Sequence, residues 1–226
     1  MSLYVYCVVS PAFEPPLSCL GLGGLPVSLH SHAALGCWVT ELESRPEPSL
    51  PNIQAHHAVV LQAVSDSVTP VPVRFGQWLE SAERLDRHLE EKTAHYESLL
   101  RLFAGALEFG LRVIEPGRQP APQPQPERAE SGRQYLLAVR EQMRAQDADS
   151  SQIAQLRGKI HDVFNGNARA EQFEPLRTAH GLLSAAHLVG RADFASYREG
   201  AAHLRASFPR LRFLMSGPWP PYSFSA

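Results

Sequence analysis

The first part of the chain alternates between apolar runs and segments rich in proline and glycine. Leu3–Val9 is apolar, aromatic and β-branched throughout, which is typical of a buried strand. The segment from Pro11 to Pro26 shows little periodicity, so it is predicted to be a loop. A second strand region is predicted over Val27–Leu42, with a turn near His32 or Gly36.

Helical periodicity follows. A helix is predicted over Ile53–Val64, with Asn52 as its N-cap. Its shared face comprises Ile53, His56, His57, Val60, Leu61 and Val64. A short strand is predicted at Val71–Phe75. Its proline is tolerated only if the strand lies at a sheet edge or if the proline is near the start of the strand. A single amphipathic helix is then predicted from Gln77 to about Ala104, spanning about 40 Å at about 1.5 Å per residue.

The second half of the chain gives the order strand, helix, strand, strand, helix, strand. The strands are predicted at Leu107–Ile114, Ala170–Ala179, Leu182–Val189 and Leu211–Met215. The helices are predicted from Gly132 to Phe164, ended by Asn165-Gly166-Asn167, and from Asp193 to Phe208. This βαββαβ order is that of a ferredoxin-like α+β domain.

These elements predict an α+β chain, and its length allows one large domain or two small ones. The N-terminal α+β region covers residues 1–104 and ends in the long helix. The C-terminal region, residues 105–226, has the ferredoxin-like element order and an aromatic and proline-rich tail. The proline-rich stretch at 116–126 is predicted to be an extended, solvated excursion.

Composition and charge narrow the classes of partner. With 44% hydrophobic and 19% charged residues, the chain is expected to fold. Its net charge is -2 and its basic residues are dispersed, which gives no reason to expect nucleic acid or an anionic membrane as partner. Three cysteines without a CxxC spacing, no signal peptide and no apolar run of about 18 residues predict a cytoplasmic protein that does not bind lipid membranes.

Patterns that carry catalytic or metal chemistry are missing from the sequence. His30 and His32 share a face if both lie on one strand, but no acidic pair is expected beside them, and no HExxH or CxxC occurs. The glycine-rich stretch Gly21–Gly24 leads to a proline and not to a helix that would bind phosphate. Glu90 and Glu91 diverge on a helix and are expected at the surface. We therefore expect no catalytic residue, no metal and no cofactor.

Two segments have a composition that is unusual for residues that serve only the protein's own fold. Arg74 lies between apolar residues in Val71–Gly76, so it either orders the junction through backbone carbonyls or a carboxylate such as Glu108, or it contacts a partner. The stiff aromatic tail Gly217–Phe224 either covers the sheet of its own domain or docks on another chain. The candidate partner-binding residues are Arg74, Phe75, Trp219, Tyr222 and Phe224.

Five stretches of the chain carry distinctive motifs, at Leu3–Val9, His56–Val60 with Thr69–Gly76, Gly105–Val113, Gly132–Leu136 and Ser216–Phe224. In this order they resemble the GvpF/GvpL family of gas vesicle proteins. The last is similar to the family's Gly-Pro-Trp-Pro-Pro-Tyr-x-Phe ending, and Arg112 stands where lysine is common. The resemblance is weakest at Pro11–Leu50 and Gly117–Ser131.

The resemblance implies two α+β domains, the second a modified ferredoxin fold, and a non-enzymatic role in gas vesicle formation. It implies binding of the small hydrophobic shell protein GvpA, restraint of GvpA aggregation during nucleation, and contact with other gas vesicle accessory proteins. It also implies that the protein stays in the cytoplasm as a minor component of the vesicle. The alternatives are a purely structural shell component and a ferredoxin-like protein that binds a small ligand or acts as an enzyme.

Overall fold

The computed structural model describes residues 2–65, 68–117, 150–176 and 180–225 of this 226-residue chain, which is a mixed α+β protein. Its strands are β1 (Ser2–Val9), β2 (Ser28–His32), β3 (Leu35–Leu42), β4 (Val71–Pro72), β5 (Trp78–Leu79), β6 (Ala106–Ile114), β7 (Ala168–Pro175), β8 (Gly181–Gly190) and β9 (Arg212–Trp219). Its helices are α1 (Leu50–Gln62), α2 (Ala82–Glu91), α3 (Thr93–Phe103), α4, described over 150–164, and α5 (Phe194–Ser207).

The described elements form two compact units. The first comprises Met1–Phe109, Leu188–Ala192 and Gly217–Ala226, so the C-terminal tail belongs to the same unit as the N-terminal sheet. The second comprises Gly110–His187 and Asp193–Ser216.

The first sheet is built around β1, which pairs antiparallel with β3, β4 and β5. Its order is β2-β3-β1-β4, and β5 also pairs with β1. Seven consecutive residues of β1 are buried, which explains why the strand is apolar at every position and does not alternate. The predicted strand at Leu3–Val9 and the turn near His32 are confirmed, because β2 ends at His32 and β3 begins at Leu35.

Helix α1 begins earlier than the sequence predicted. Ser49 is its N-cap, and the Ser49 hydroxyl accepts a hydrogen bond from the N–H of Asn52, so Asn52 as N-cap was wrong. The predicted buried face was wrong in part, because His56, Val59 and Val60 are buried whereas His57 and Leu61 are exposed.

The single long helix predicted from Gln77 to Ala104 was also wrong. Strand β5 occupies its start, and α2 and α3 are separate helices that meet at Lys92, where φ is -114° and ψ is 13°. The Thr93 hydroxyl donates to the carbonyl of Leu89 at 2.7 Å, a side-chain bond to the preceding turn that is associated with bent helices. The apolar stripe continues through the break, so periodicity alone predicted one helix.

The second sheet has the order β7-β8-β6-β9. Strands β6 and β8 and the described part of α4 agree with the sequence predictions, and the segment Asn165–Asn167 ends α4. In the second unit the rings of Phe164 on α4 and Tyr197 on α5 stack at 4.3 Å. Pro116 and Gly117 form a turn after β6, but the predictions for residues 118–149, including most of the 116–126 stretch and the helix start at Gly132, lie outside the described residues.

Candidate functional site

The tail makes a turn that is held by its own backbone, and it buries one ring. After β9 ends at Trp219, the chain makes a 3₁₀ turn at Tyr222–Phe224. The N–H of Tyr222 donates to the carbonyl of Pro220 at 2.8 Å. The ring of Phe224 is only 8% exposed, so Phe224 anchors the tail.

A carboxylate from β6 completes the fastening. Oε2 of Glu108 accepts the backbone N–H of Ser223 at 2.8 Å, and Oε1 accepts the Ser223 hydroxyl at 2.7 Å. Hydrogen bonds to an ionised acceptor are stronger than those between neutral groups. The sequence suggested Glu108 as a partner of Arg74. The Arg74 side chain is exposed, and the Glu108 carboxylate binds Ser223 instead.

An apolar groove of about 440 Å³ lies beside the tail. Its lining residues are His57, Leu61, Glu108, Trp219, Pro220 and Tyr222. The side chains of Leu61 and Trp219 are 46% and 49% exposed, so two large apolar groups of the groove face solvent. The rings of His57 and Tyr222 meet edge to face, with centroids 5.1 Å apart. The groove is thus a largely apolar surface formed by residues of α1, β6, β9 and the tail.

The same α1 residues that did not fit the core belong to this groove. Helical spacing placed His57 and Leu61 on the buried face, but both are exposed and line the groove. The sequence did not identify these two residues as site residues. Their exposure became apparent only when the structure showed which side of α1 packs against the core. Glu108 was noticed in the sequence, but for the wrong partner.

The segment around Arg74 and Phe75 is held by a buried histidine. The Tyr4 hydroxyl lies 2.9 Å from His56 Nδ1 and accepts the N–H of Gly76, while His56 Nε2 lies 2.8 Å from the carbonyl oxygen of Val73. A carbonyl only accepts, so Nε2 carries the proton and Nδ1 accepts from Tyr4. Burial lowers the pKa of His56 to about 4, which keeps the ring neutral.

The candidate residues therefore have different positions. Trp219 and Tyr222 line the groove, and Phe224 is buried and anchors the tail. The half-buried ring of Phe75 packs on the His56 ring at 5.8 Å, and the Arg74 side chain is exposed. Arg74 and Phe75 are not among the residues that line the groove.

Two histidines of β2 face acidic residues of α2, contrary to the expectation from the sequence. His30 Nε2 lies 2.7 Å from Asp86 Oδ1, and His32 lies 3.1 Å from Asp86 Oδ1 and 3.0 Å from Glu90 Oε1. The acidic partners are more than 50 residues away along the chain, so the local sequence could not reveal them. Glu90 is exposed, as the sequence predicted, and it also bonds His32.

Reactive groups in the described ranges are shielded. The thiols of Cys7, Cys19 and Cys37 are buried, and burial raises the pKa of Cys37 to about 12, which disfavours the nucleophilic thiolate. The described residues contain no group of three or more metal-ligating side chains suited to a metal ion. None of the helices described here combines the length and apolar character that crossing a lipid bilayer requires.

Comparison with curated proteins relates the whole chain to gas vesicle proteins. It is 28% identical to gas vesicle protein L of Streptomyces sp. (strain CB03234), over 98% of this chain and 92% of that protein. It is 24% identical to gas vesicle protein L1 of Halobacterium salinarum, over 98% of this chain and 89% of that protein.

Solved structures share the fold. The crystal structure of GvpF from Anabaena sp. PCC7120 superposes with a TM-score of 0.80 at 17% identity, covering 100% of this chain and 96% of that one. GvpF from Microcystis aeruginosa gives 0.78 at 16% identity, covering 100% and 99%. Residues 2–226 match the sequence model of the family described as gas vesicle synthesis protein GvpL/GvpF. Because this match extends over nearly the whole chain, the protein belongs to the GvpL/GvpF family of gas vesicle synthesis proteins.

Proposed function

We propose that this protein is a non-enzymatic assembly factor of gas vesicles, which binds the small hydrophobic shell protein GvpA and limits its aggregation during nucleation. The observation that carries the proposal is the family match over residues 2–226. A shell subunit that is hydrophobic exposes apolar surface before it assembles, and such surface self-associates. A partner that covers this surface reversibly would keep the subunit available for assembly.

The groove beside the tail is the surface that we assign to GvpA. It is apolar, and it offers Trp219 and Leu61 to solvent at 49% and 46% exposure. Tryptophan is enriched among the residues that dominate binding energy at interfaces. The hydrogen bonds between Glu108 and Ser223 hold the tail in position, which lowers the entropy lost when a client segment docks.

Arg74 and Phe75 are proposed as a secondary contact for GvpA or another gas vesicle accessory protein. The exposed guanidinium of Arg74 can bind carboxylates or carbonyls of a partner. Phe75 supports this segment by packing on His56. The protein is proposed to act in the cytoplasm, to need no cofactor, and to remain on the vesicle as a minor component.

We also propose a division into domains near residue 105, the second domain being a modified ferredoxin-like fold. The compact unit that includes Met1–Phe109 supports this boundary, with the tail added to the first domain. The strand order β7-β8-β6-β9 supports the ferredoxin-like assignment, because the ferredoxin-like βαββαβ order places the first and third strands in the centre. If the boundary is correct, limited proteolysis between the two units should leave the tail bound to the N-terminal fragment, because both belong to the first unit.

A gene deletion and an aggregation assay together test the proposed function. Cells that lack the protein should lose flotation, and purified protein should keep GvpA in the supernatant at stoichiometric ratios. Normal flotation after deletion would contradict the assembly role. Unchanged GvpA aggregation would contradict the mechanism even if flotation were lost.

Washing purified vesicles with mild denaturant separates an assembly factor from a purely structural shell component. An assembly factor held by one groove should mostly leave the vesicle, because a single apolar contact weakens as denaturant solvates apolar surface. Retention at full stoichiometry would favour the structural alternative.

A further inference from the structure

Strand β3 is longer than its outer neighbour β2, so part of its edge is left without a partner. The register pairs Ser28, the first residue of β2, with Val39, and residues 40–42 of β3 extend beyond that pair. On the inner side β1 stays paired with β3 as far as Ser2 and Leu42. In the described ranges no strand pairs with residues 40–42 on the outer side. A free segment of sheet edge therefore lies beyond the start of β2.

A proline turns the chain that precedes β2 away from this edge. Pro26 has no backbone N–H to donate, and it forms its bridge with Leu20. The next residue, Val27, donates its N–H to the carbonyl of Cys19 at 3.1 Å. Thr40 reaches this loop through its side chain, since its hydroxyl donates to the carbonyl of Pro26 at 3.2 Å. The backbone of the loop thus pairs with itself and leaves the edge of β3 open.

A groove of about 640 Å³ lies along the open edge. Its apolar wall includes Leu25, which is 42% exposed, and the half-buried Leu42. Successive side chains of a strand point to opposite faces, so Glu41 lies on the face opposite Leu42. Glu43 lines the groove immediately after the strand. Apolar and acidic side chains therefore flank the same row of backbone groups.

The groove carries two acidic side chains. Glu41 and Glu43 are exposed, and in the described part of the chain neither carboxylate has an ion-pair partner. Among the described lining residues there is no lysine, arginine or histidine. Pairing with the same edge of a second copy would bring like charges together, and charges at a sheet edge discourage such contacts. The charge of the groove therefore favours a basic partner.

We propose that the free edge of β3 binds an extended basic segment of another protein, which pairs with residues 40–42 as an added strand in line with β2. Alternate residues of the segment carry lysine or arginine towards Glu41 and Glu43, and the intervening residues are apolar and contact Leu25 and Leu42. In this mode of recognition the backbone hydrogen bonds provide affinity and the alternate side chains provide specificity. The site shares no residue with the groove beside the tail, so it does not rest on the binding of GvpA there.

Three blocked hexapeptides, titrated into the full-length protein, test the proposal. The first alternates lysine with valine, and the second has glutamate in place of lysine. The lysine peptide should shift the backbone amide NMR signals of residues 40–43, and its binding should weaken as salt is raised, whereas the glutamate peptide should not bind. The third is the lysine peptide methylated at its backbone nitrogens. It keeps the charges but cannot donate to the edge, so its Kd should be about tenfold higher or more.

Variants of the protein test the two carboxylates. Glu41→Gln combined with Glu43→Gln removes both charges at exposed positions, and it should raise the Kd of the lysine peptide about fivefold. Glu199→Gln, at an exposed glutamate of α5, removes a charge elsewhere and should bind the peptide as the wild type does.

Several results would overturn the proposal. They are a lysine peptide that does not bind, an equal Kd for the methylated peptide, and an equal Kd in the double variant and Glu199→Gln. Amide shifts confined to the groove beside the tail would overturn it as well. If the double variant does not fold, the three peptides decide the question on the wild-type protein.

Discussion

Glu108 on β6 holds Ser223 in the tail through both of its carboxylate oxygens, at 2.7 and 2.8 Å, across 115 residues of sequence. This pair fixes the tail beside the groove. The position of Trp219 and Tyr222 thus depends on a residue that does not itself belong to the tail, and the groove exists as a surface before any client binds.

Replacing Glu108 by alanine should loosen the tail. The change leaves the N–H and the hydroxyl of Ser223 without their acceptor, so we expect the free energy of unfolding to fall by about 1–3 kcal/mol. Ser223→Ala, which keeps the backbone bond, should cost less, about 1 kcal/mol. Denaturant unfolding measures both, and an equal loss in the two variants would show that the carboxylate does not act through these two bonds.

Gly217 should not tolerate a side chain. Its φ is +108°, and a Cβ atom there would lie 2.7 Å from the carbonyl oxygen of Glu108. We expect Gly217→Ala to lower the free energy of unfolding by about 1–3 kcal/mol or more. The positive φ disfavours any side chain, and the added Cβ atom would lie too close to the carbonyl oxygen.

Gly158, a helical glycine in α4, is the matched control. A Cβ atom there has nothing within 4 Å, so Gly158→Ala should leave stability unchanged or raise it by up to about 1 kcal/mol. Similar melting temperatures for the two variants would mean that the backbone at Gly217 adjusts without cost.

Acid should destabilise the fold through two buried histidines. Burial lowers the pKa of His56 and of His187 to about 4, below the value of about 6.5 for an exposed histidine. Between these values the unfolded chain binds more protons than the folded protein, so stability falls as the pH is lowered. Each histidine contributes about 1.4 kcal/mol per pH unit in that window.

His187→Phe isolates one of these contributions. Removing this titrating ring should reduce the slope of unfolding free energy against pH, between about pH 6 and pH 4, by about 1.4 kcal/mol per unit. Leu214→Ala, which removes an exposed side chain and no titrating group, should leave the slope unchanged. Identical slopes in wild type and His187→Phe would show that His187 takes up its proton in the folded protein as easily as in the unfolded chain.

The local pattern predicted strands and helices well where burial is uniform or strictly periodic. β1 and β8 are mostly buried and mostly apolar, and in β6 the buried residues Phe109, Leu111 and Val113 alternate with positions that are not buried. The single helix from Gln77 to Ala104 failed because the break at Lys92 interrupts neither the charge pattern nor the apolar stripe.

Relationships between distant residues explain most of what the sequence could not predict about the site. The tail motif drew attention to Trp219 and Tyr222, but their neighbours His57 and Leu61 come from α1. Helix periodicity assigned those two residues to the core, since it shows that residues share a face without showing what that face contacts. The pairing of His32 with Glu90 has the same origin, because a sheet edge and a helix meet only in the folded chain.

The affinity for purified GvpA measures the central claim most directly. Trp219→Ala and Leu61→Ala each remove an exposed apolar group of the groove, so the free energy of unfolding should change by less than about 0.5 kcal/mol in each variant. The Kd for GvpA should rise about tenfold or more in Trp219→Ala. Leu214→Ala, at a leucine that is 52% exposed outside the groove, is the control and should bind as the wild type does. A Kd for Trp219→Ala and Leu61→Ala equal to that of Leu214→Ala would contradict the assignment of the groove to GvpA.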